Sequence, residues 1–388
     1  MSLPPPLAPD PHRRWLLRCL ELARQATGRT APNPLVGSVL VQDDEIVGEG
    51  FHPGAGHPHA EVLALRQAGE QARGATLYVN LEPCNHFGRT PPCTEAIIQA
   101  GVARVVVGMV DPDPRVAGGG IVRLREAGIE VLTGIESDAC EQLNEAFICR
   151  ITQQRPLGIL KYAMTLDGKI ATSTGHSQWI TGPAARARVH RLRAACDAVV
   201  VGGNTVRQDN PRLTTHGHSD HNPRRVVMSV GLDLPPAANL WDTAAAPTLV
   251  FTSPQAPPDR VQHLKNRGVT VTALDHLSPA AVTAELYQLG CSAVLWECGG
   301  TLAAAALKDS IIDKVWAFIA PKIIGGYDAP GPVGSLGIGQ MSAALPLSQP
   351  SIQQVGEDWL IEGYLTPGDS ARPGVSQKEN TGRLNPQT

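Results

Sequence analysis

The chain has 388 residues, too many for one typical core, so two domains are the first expectation. Its composition is 42% hydrophobic and 18% charged, and Lys+Arg 33 against Asp+Glu 36 leaves a formal charge of -3. That balance offers no strongly basic face to a nucleic acid, no apolar run reaches the roughly 18 residues that span a bilayer, and the start MSLPPPLAPDPHRR lacks the apolar centre of a secretory signal. The default location is the cytoplasm.

Residues 1–11 read as an unordered Pro-rich leader. Residues 15–26 carry apolar side chains at helical spacing. Residues 36–41 and 45–50 read as strands joined by the turn Gln42-Asp43-Asp44. A short helix over 60–68, a strand over 76–80, a helix over 94–100 capped by Gly101 and a β-branched strand over 102–110 follow. Residues 121–127 and 129–132 repeat the helix–strand order, and 137–149 read as one amphipathic helix. The alternation predicts a mixed or parallel sheet with helices on its faces. A second α/β pattern opens near Pro156, which puts the domain boundary at 150–156. Its strands are expected at 157–162, 198–202, 225–229, 247–251, 269–272, 293–296 and 314–319, and its helices at 183–195, 258–266, 279–289 and 301–308. From about Pro367 the chain is polar and aperiodic, as in a disordered tail.

His59-Ala60-Glu61 and, further on, Cys84 and Cys93 carry the clearest chemistry. One imidazole and two thiolates fill three corners of a zinc tetrahedron, and the fourth is left for water. Glu61 has the type and spacing of a proton shuttle that does not ligate, the zinc-deaminase arrangement. Both halves of the motif fall at strand-to-helix junctions, where helix N-termini favour thiolate. A closed zinc knot would need a fourth ligand, for which His57 and His86 are candidates. Eight residues separate the two cysteines, and Arg89 among them either reaches an anionic part of the substrate or is a solvated surface residue. The other six cysteines, Cys19, Cys140, Cys149, Cys196, Cys291 and Cys298, lie singly and read as small buried hydrophobes.

The segments GRTAPNPLVGSVLV, PHAEVLAL, LYVNLEPCNHFGRTPPCTEAII and MVDPDPRVAGGGI resemble the deaminase half of the bifunctional riboflavin-biosynthesis deaminase–reductase family. That resemblance implies a cytidine-deaminase-like zinc domain over 12–150, with Asn33 at the substrate base and His52 and Arg89 toward the sugar phosphate. Where the family reads DPNP, this chain has Asp113 in place of the asparagine, which alters one polar contact.

The second half has neither GxGxxG nor a Walker loop. Gly202-Gly203 and Gly299-Gly300 each follow a strand, and each is a weak phosphate-turn signal by itself. The stretches LKYAMTLDGKIATSTGHSQWIT, VVVGGNTVRQDNPRLT, LWECGGTLAAAAL and FIAPKIIGG resemble the reductase half of the same family, whose fold is similar to dihydrofolate reductase. The resemblance implies an α/β reductase domain over 155–366 that uses NADPH, with a disordered tail at 367–388. By it, Lys161 and Asp167 lie beside the reacting sugar. Ser177, Arg193, Leu213 and Glu297 meet substrate. Ala163, Thr165, Trp179, Thr205, Asp209 and Gly299-Gly300-Thr301 meet the cofactor. His216 stands where the family often has arginine, which weakens the grip on a phosphate at high pH, and Cys298 replaces a Gly or Ala.

The expected protein is therefore a bifunctional enzyme with Zn2+ and NADPH. It removes the 2-amino group of a phosphoribosylated diaminopyrimidinone and then reduces its ribose to a ribityl chain. No nucleic acid or membrane partner is expected, and a homo-oligomer, dimer or tetramer, is. Two other readings compete: a nucleic-acid base deaminase fused to an unrelated domain, and a non-catalytic zinc module with a saturated metal.

Overall fold

The computed structural model describes residues 10–87 and 91–365. Most of the expected leader, Arg89 and the expected tail lie outside the described residues.

The first sheet has five strands, β1 (Gly37–Gln42), β2 (Glu45–Phe51), β3 (Thr76–Leu81), β4 (Arg104–Met109) and β5 (Glu130–Thr133), in the order β2-β1-β3-β4-β5. β1 pairs antiparallel with β2 and β3, and the rest pair parallel, so the sheet is mixed as expected. The first hairpin turns on Asp43 and Asp44, with φ of 50 and 69°. Aspartate is one of the few side chains that tolerates this left-handed conformation. Side chains alternate between faces along each strand. Leu40, Leu77, Val79, Val105 and Val107 pack on the helices Ala60–Ala68, Cys93–Ala100 and Gly119–Glu126. Val39, Val41, Tyr78 and Val106 pack on the helix Arg13–Arg24.

The predicted helix over 137–149 is two helices, Ser137–Leu143 and Glu145–Gln153, broken at Asn144. The Asn144 side chain accepts from the Leu35 N–H at 2.8 Å and donates to the Leu35 carbonyl at 3.0 Å. An asparagine that bonds a distant backbone in this way stops competing for a helical position. The second helix carries the chain across to the other domain.

The second sheet has nine strands: β6 (Leu157–Thr165), β7 (Ala198–Gly202), β8 (Arg224–Met228), β9 (Thr248–Thr252), β10 (Thr270–Ala273), β11 (Ala293–Trp296), β12 (Lys314–Ala320), β13 (Leu347–Val355) and β14 (Asp358–Leu365). Their order is β10-β9-β8-β7-β11-β6-β12-β14-β13, parallel from β10 to β12 with an antiparallel hairpin at one edge. β7 is buried along its first four residues. Ala198 and Val200 enter one core cluster, Val199 and Val201 the other. A strand covered on both faces reads as a continuous apolar run. In sheets of this kind ligands sit outside the carboxyl ends of the strands, where the order switches. Here those ends are Thr165, Gly202 and Trp296, on the adjacent strands β6, β7 and β11.

The hairpin β13–β14 was not predicted. β13 is an exposed edge strand of polar residues, and Pro350 sits where its register slips between Ser348 and Ser351. Proline is tolerated at such an edge irregularity and masks the strand signal. Among the described residues no helix is long and apolar enough to cross a membrane. All eight cysteines are described and none forms a disulfide; the six outside the zinc motif are buried, as expected.

Candidate active sites

His59 is the residue before the helix Ala60–Ala68, and Cys93 is the first residue of the helix Cys93–Ala100. Cys84 follows β3 by three residues. The first helix lies against β2 because Gly48 and Gly50 have no side chains: a Cβ on Gly48 would meet the Ala64 carbonyl at 2.3 Å, and one on Gly50 the Leu63 Cβ at 2.6 Å.

His59 Nδ1 lies 3.2 Å from Cys93 Sγ and 3.5 Å from Cys84 Sγ, and the three donor atoms all fall within 4.8 Å of one another. Tetrahedral zinc with ordinary Zn–N and Zn–S bonds sets such donors about 3.6 Å apart. The donor set and its spacing therefore suit Zn2+, with His59 ligating through Nδ1. His57 and His86 do not join the cluster. The Cys84 thiol is drawn down by its hydrogen bond with Cys93 and then by His59. Cys93 is pushed up by Cys84 and by burial.

Glu61 lines the same cavity and is only 3% exposed. Among the described residues its Oε2 has no hydrogen-bond partner. Burial, then the charge of Cys84, raise it to about 7. A buried carboxyl with one idle oxygen beside a metal triad is suited to carry a proton. His52 is fixed by two contacts. Its Nδ1 lies 3.1 Å from the Pro58 carbonyl, and its Nε2 lies 3.1 Å from the Asn33 amide nitrogen. Nδ1 therefore donates and Nε2 accepts, and burial favours this neutral form.

Sequence reasoning did not single out Glu82. Its carboxylate accepts backbone N–H groups from Asp111, Gly118, Gly120 and Ile121 at 2.9–3.2 Å. It thereby ties the end of β3 to the start of the helix Gly119–Glu126. A glutamate directly before the Pro83-Cys84 pair was the available signal. Asp113, the departure from DPNP, lines the cavity and binds Arg115, whose guanidinium holds it down at about 2.

In the second domain Glu297, one residue past β11, accepts from Arg193 Nε at 2.6 Å and Nη2 at 3.0 Å. Lys161 Nζ, on the adjacent β6, lies 3.5 Å from the same carboxylate. Burial would raise Glu297, but Arg193 and then Lys161 override it and hold it at about 2. Burial lowers Lys161. Three predicted residues are thus brought together.

Asp167 belongs to a different cluster. It accepts from the Thr165 hydroxyl at 2.6 Å and from the Gly325 N–H at 2.7 Å. Lys161 and Thr165 are separated by about 13 Å of extended strand, and Asp167 lies beyond Thr165. Ser177 donates to Asp209 at 2.9 Å. Thr205 and Asp209 share the helix Gly203–Asp209, where the glycine pair was expected to open a helix or a turn. Ala163 lies on β6 opposite Phe318 of β12. Trp179 is 64% exposed beneath the Arg186 guanidinium, and Lys322 donates to its carbonyl at 2.9 Å. Leu213 is 2% exposed in the core, so a ligand would meet its backbone rather than its side chain.

Gly299, Gly300 and Thr301 open the helix Gly300–Lys308. A Cβ on Gly300 would meet the Gly331 carbonyl at 2.8 Å, so a loop presses on this helix start. Free backbone N–H groups at such a glycine-lined end suit a dinucleotide phosphate. His216 stacks on His190 with ring centroids 4.2 Å apart. Burial, then neighbouring cations, lower both, His190 to about 4. Cys298 is buried with its thiol pushed up to about 12, an inert apolar filler.

Residues 9–109 match the cytidine and deoxycytidylate deaminase zinc-binding region, and residues 156–361 match the RibD C-terminal domain. A riboflavin biosynthesis protein RibD from Synechocystis is 62% identical over 352 residues, 91% of this chain and 96% of that one. The chain belongs to the RibD family. It is a bifunctional riboflavin-biosynthesis enzyme, a zinc-dependent deaminase and an NADPH-dependent reductase on one polypeptide. Acinetobacter baumannii RibD superposes with a TM-score of 0.82 at 38% identity, over 92% of this chain and 99% of that one. The diaminohydroxyphosphoribosylaminopyrimidine deaminase/5-amino-6-(5-phosphoribosylamino)uracil reductase of Thermotoga maritima superposes with a TM-score of 0.81 at 37% identity, over 92% and 99%.

Proposed function

We propose that the first domain deaminates 2,5-diamino-6-(5-phosphoribosylamino)pyrimidin-4-one at its 2-amino group, and that the second reduces the ribosyl chain of the product to ribityl. The observation that carries the reading is Glu61, with an oxygen that has no partner among the described residues, in one cavity with His59 and Cys84. The two activities for which the Thermotoga maritima relative is named support the substrate class.

His59, Cys84 and Cys93 would hold Zn2+, which would supply the Lewis acidity that brings the pKa of water near neutrality. Glu61 takes a proton from water at its idle Oε2 and delivers it to the leaving ammonia. Asn33, oriented by His52, keeps an amide oxygen and one N–H for the pyrimidine edge. In the second domain bound NADPH would supply hydride. Lys161, held by Glu297, orients the sugar hydroxyls and stabilises developing charge there. Arg193 and Ser177 flank the same substrate, with the Leu213 backbone. Asp167 acts through Thr165 and the Ile324–Gly325 backbone, as a positioning residue. The starts of the helices Gly203–Asp209 and Gly300–Lys308, with Ala163, Trp179, Thr205 and Asp209, line the cofactor side.

We place the domain boundary at 150–156, a span that takes in the end of the helix Glu145–Gln153 and the short link to β6. The eight free cysteines accord with a reducing compartment such as the cytoplasm. We infer a homo-oligomer, dimer or tetramer, which sedimentation would test. For the function, purified protein should release ammonia from the diaminopyrimidine substrate and oxidise NADPH faster than NADH. Equal rates with the two nucleotides would overturn the cofactor assignment, and absence of ammonia the substrate.

A further inference from the structure

We propose that the reductase domain completes the deaminase pocket, and that Arg150, clamped by that domain, receives the phosphate of the deaminase substrate. This rests on the substrate assigned above. The cavity that holds His59, Glu61 and Cys84 has a volume of about 750 Å³, ample for a nucleotide-sized molecule. One part of its wall is not built by the first sheet. Phe147, Arg150 and Ile151 come from the helix Glu145–Gln153, and Tyr287 comes from the helix Pro279–Gln288 of the second domain.

Arg150 is held from that side. Its Nη1 donates to the Tyr287 carbonyl at 3.0 Å and to the Cys291 carbonyl at 2.8 Å, and its guanidinium lies over the Tyr287 ring at 4.1 Å. These contacts occupy one corner of the planar group. Nε and Nη2 have no acceptor, and no carboxylate pairs with Arg150, among the described residues. That edge is the one that binds a phosphate through two parallel N–H bonds. Stacking and the two carbonyls fix the fork in advance, so little side-chain freedom is lost on binding.

Besides His86 at the exposed rim, the other described basic side chains in the cavity are committed. Arg115 is bound to Asp113, His59 belongs to the metal triad, and His52 donates to Pro58. The acidic neighbours Glu61, Asp111 and Asp113 repel a phosphate from the rest of the wall. Of the two described arginines in the wall, Arg115 has a carboxylate partner and Arg150 has none, so charge favours the Arg150 corner. The ring would lie at the triad, with its sugar phosphate reaching the surface that the second domain supplies.

The test is steady-state ammonia release by the full-length zinc enzyme, with the phosphorylated substrate and with its dephosphorylated ribosylamine. The quantity read is the ratio of the two kcat/KM values. Arg150→Gln should lower that ratio roughly 10- to 100-fold, as expected for loss of a charge-assisted pair, with the change in KM for the phosphorylated form. Arg150→Lys, which keeps the charge but loses the fork, should restore part of it. Tyr287→Leu removes the platform and should lower the ratio by a smaller factor. A ratio within twofold of wild type in Arg150→Gln overturns the proposal. If that variant does not fold, judged by its zinc content and melting curve, an unchanged ratio in both Arg150→Lys and Tyr287→Leu does so. Wild-type protein that releases no ammonia from either compound overturns the substrate reading itself, and this inference with it.

Discussion

Cys93 opens its helix with its backbone N–H directed at Cys84 Sγ, 3.4 Å away. The positive end of that helix and one of its N–H groups thus serve the other cysteine of the pair. The helix thereby aligns both sulfurs with His59.

Removal of either thiol should therefore remove the metal. Cys84→Ala and Cys93→Ala should each bind a small fraction of the roughly one zinc per chain expected of the native protein. Cys291→Ala, which is buried in a core cluster of the second domain and has no part in the triad, should keep its zinc. Elemental analysis of purified variants checks this, and full zinc in Cys93→Ala would contradict the site.

Glu61→Gln keeps the shape and removes the proton carrier. Ammonia release should fall about 10²- to 10⁴-fold while zinc content stays at the native level. A variant that retained a tenth of the native rate would contradict the role given to Glu61.

Glu297 carries a pH signature. Arg193 and Lys161 hold it at about 2, below its ordinary value of 4.5. Between those values the unfolded chain binds the proton and the folded chain does not. The stabilisation is complete above about pH 4.5 and is lost as pH falls toward 2. Glu297→Gln leaves two buried cations without their anion and should cost about 3 kcal/mol or more. Thermal melts at pH 7 and pH 4 read both effects: the variant should melt lower at pH 7, and the gap should narrow in acid.

His216 is stacked on His190 and lowered from its ordinary value, so it is neutral at pH 7. A neutral imidazole grips a phosphate less firmly than a guanidinium. His216→Arg should lower the reductase KM for its phosphorylated substrate several-fold at pH 7.5, where the lowered imidazole is neutral. An unchanged KM at that pH would exclude His216 from that contact.

Much of the fold was legible because burial patterns mark it. The helix Ala60–Ala68 and the strands Ala198–Gly202 and Ala293–Trp296 match their predicted bounds, the helix because it opens within the His59-Ala60-Glu61 motif and the strands because they are short continuous apolar runs. The break at Asn144 was not legible, because it depends on a hydrogen bond to Leu35, more than a hundred residues away. The edge strand Leu347–Val355 was hidden by its polar face and Pro350. In the sites, ligand types and spacing revealed the triad before its geometry was known. The split between Lys161 and Asp167 was not readable, because six residues of sequence do not disclose that a strand extends between them. Tyr287 was missed for a similar reason: only the packing of the two domains brings it to the zinc cavity.

The central claim, two reactions in fixed order on one chain, is tested most directly by product analysis of purified zinc enzyme supplied with the diaminopyrimidine substrate. Without NADPH, the deaminated ribosylaminouracil should accumulate with one ammonia per substrate; with NADPH, the ribityl product should replace it. A reduced product that still carries the 2-amino group, or ammonia release that requires NADPH, would contradict the account.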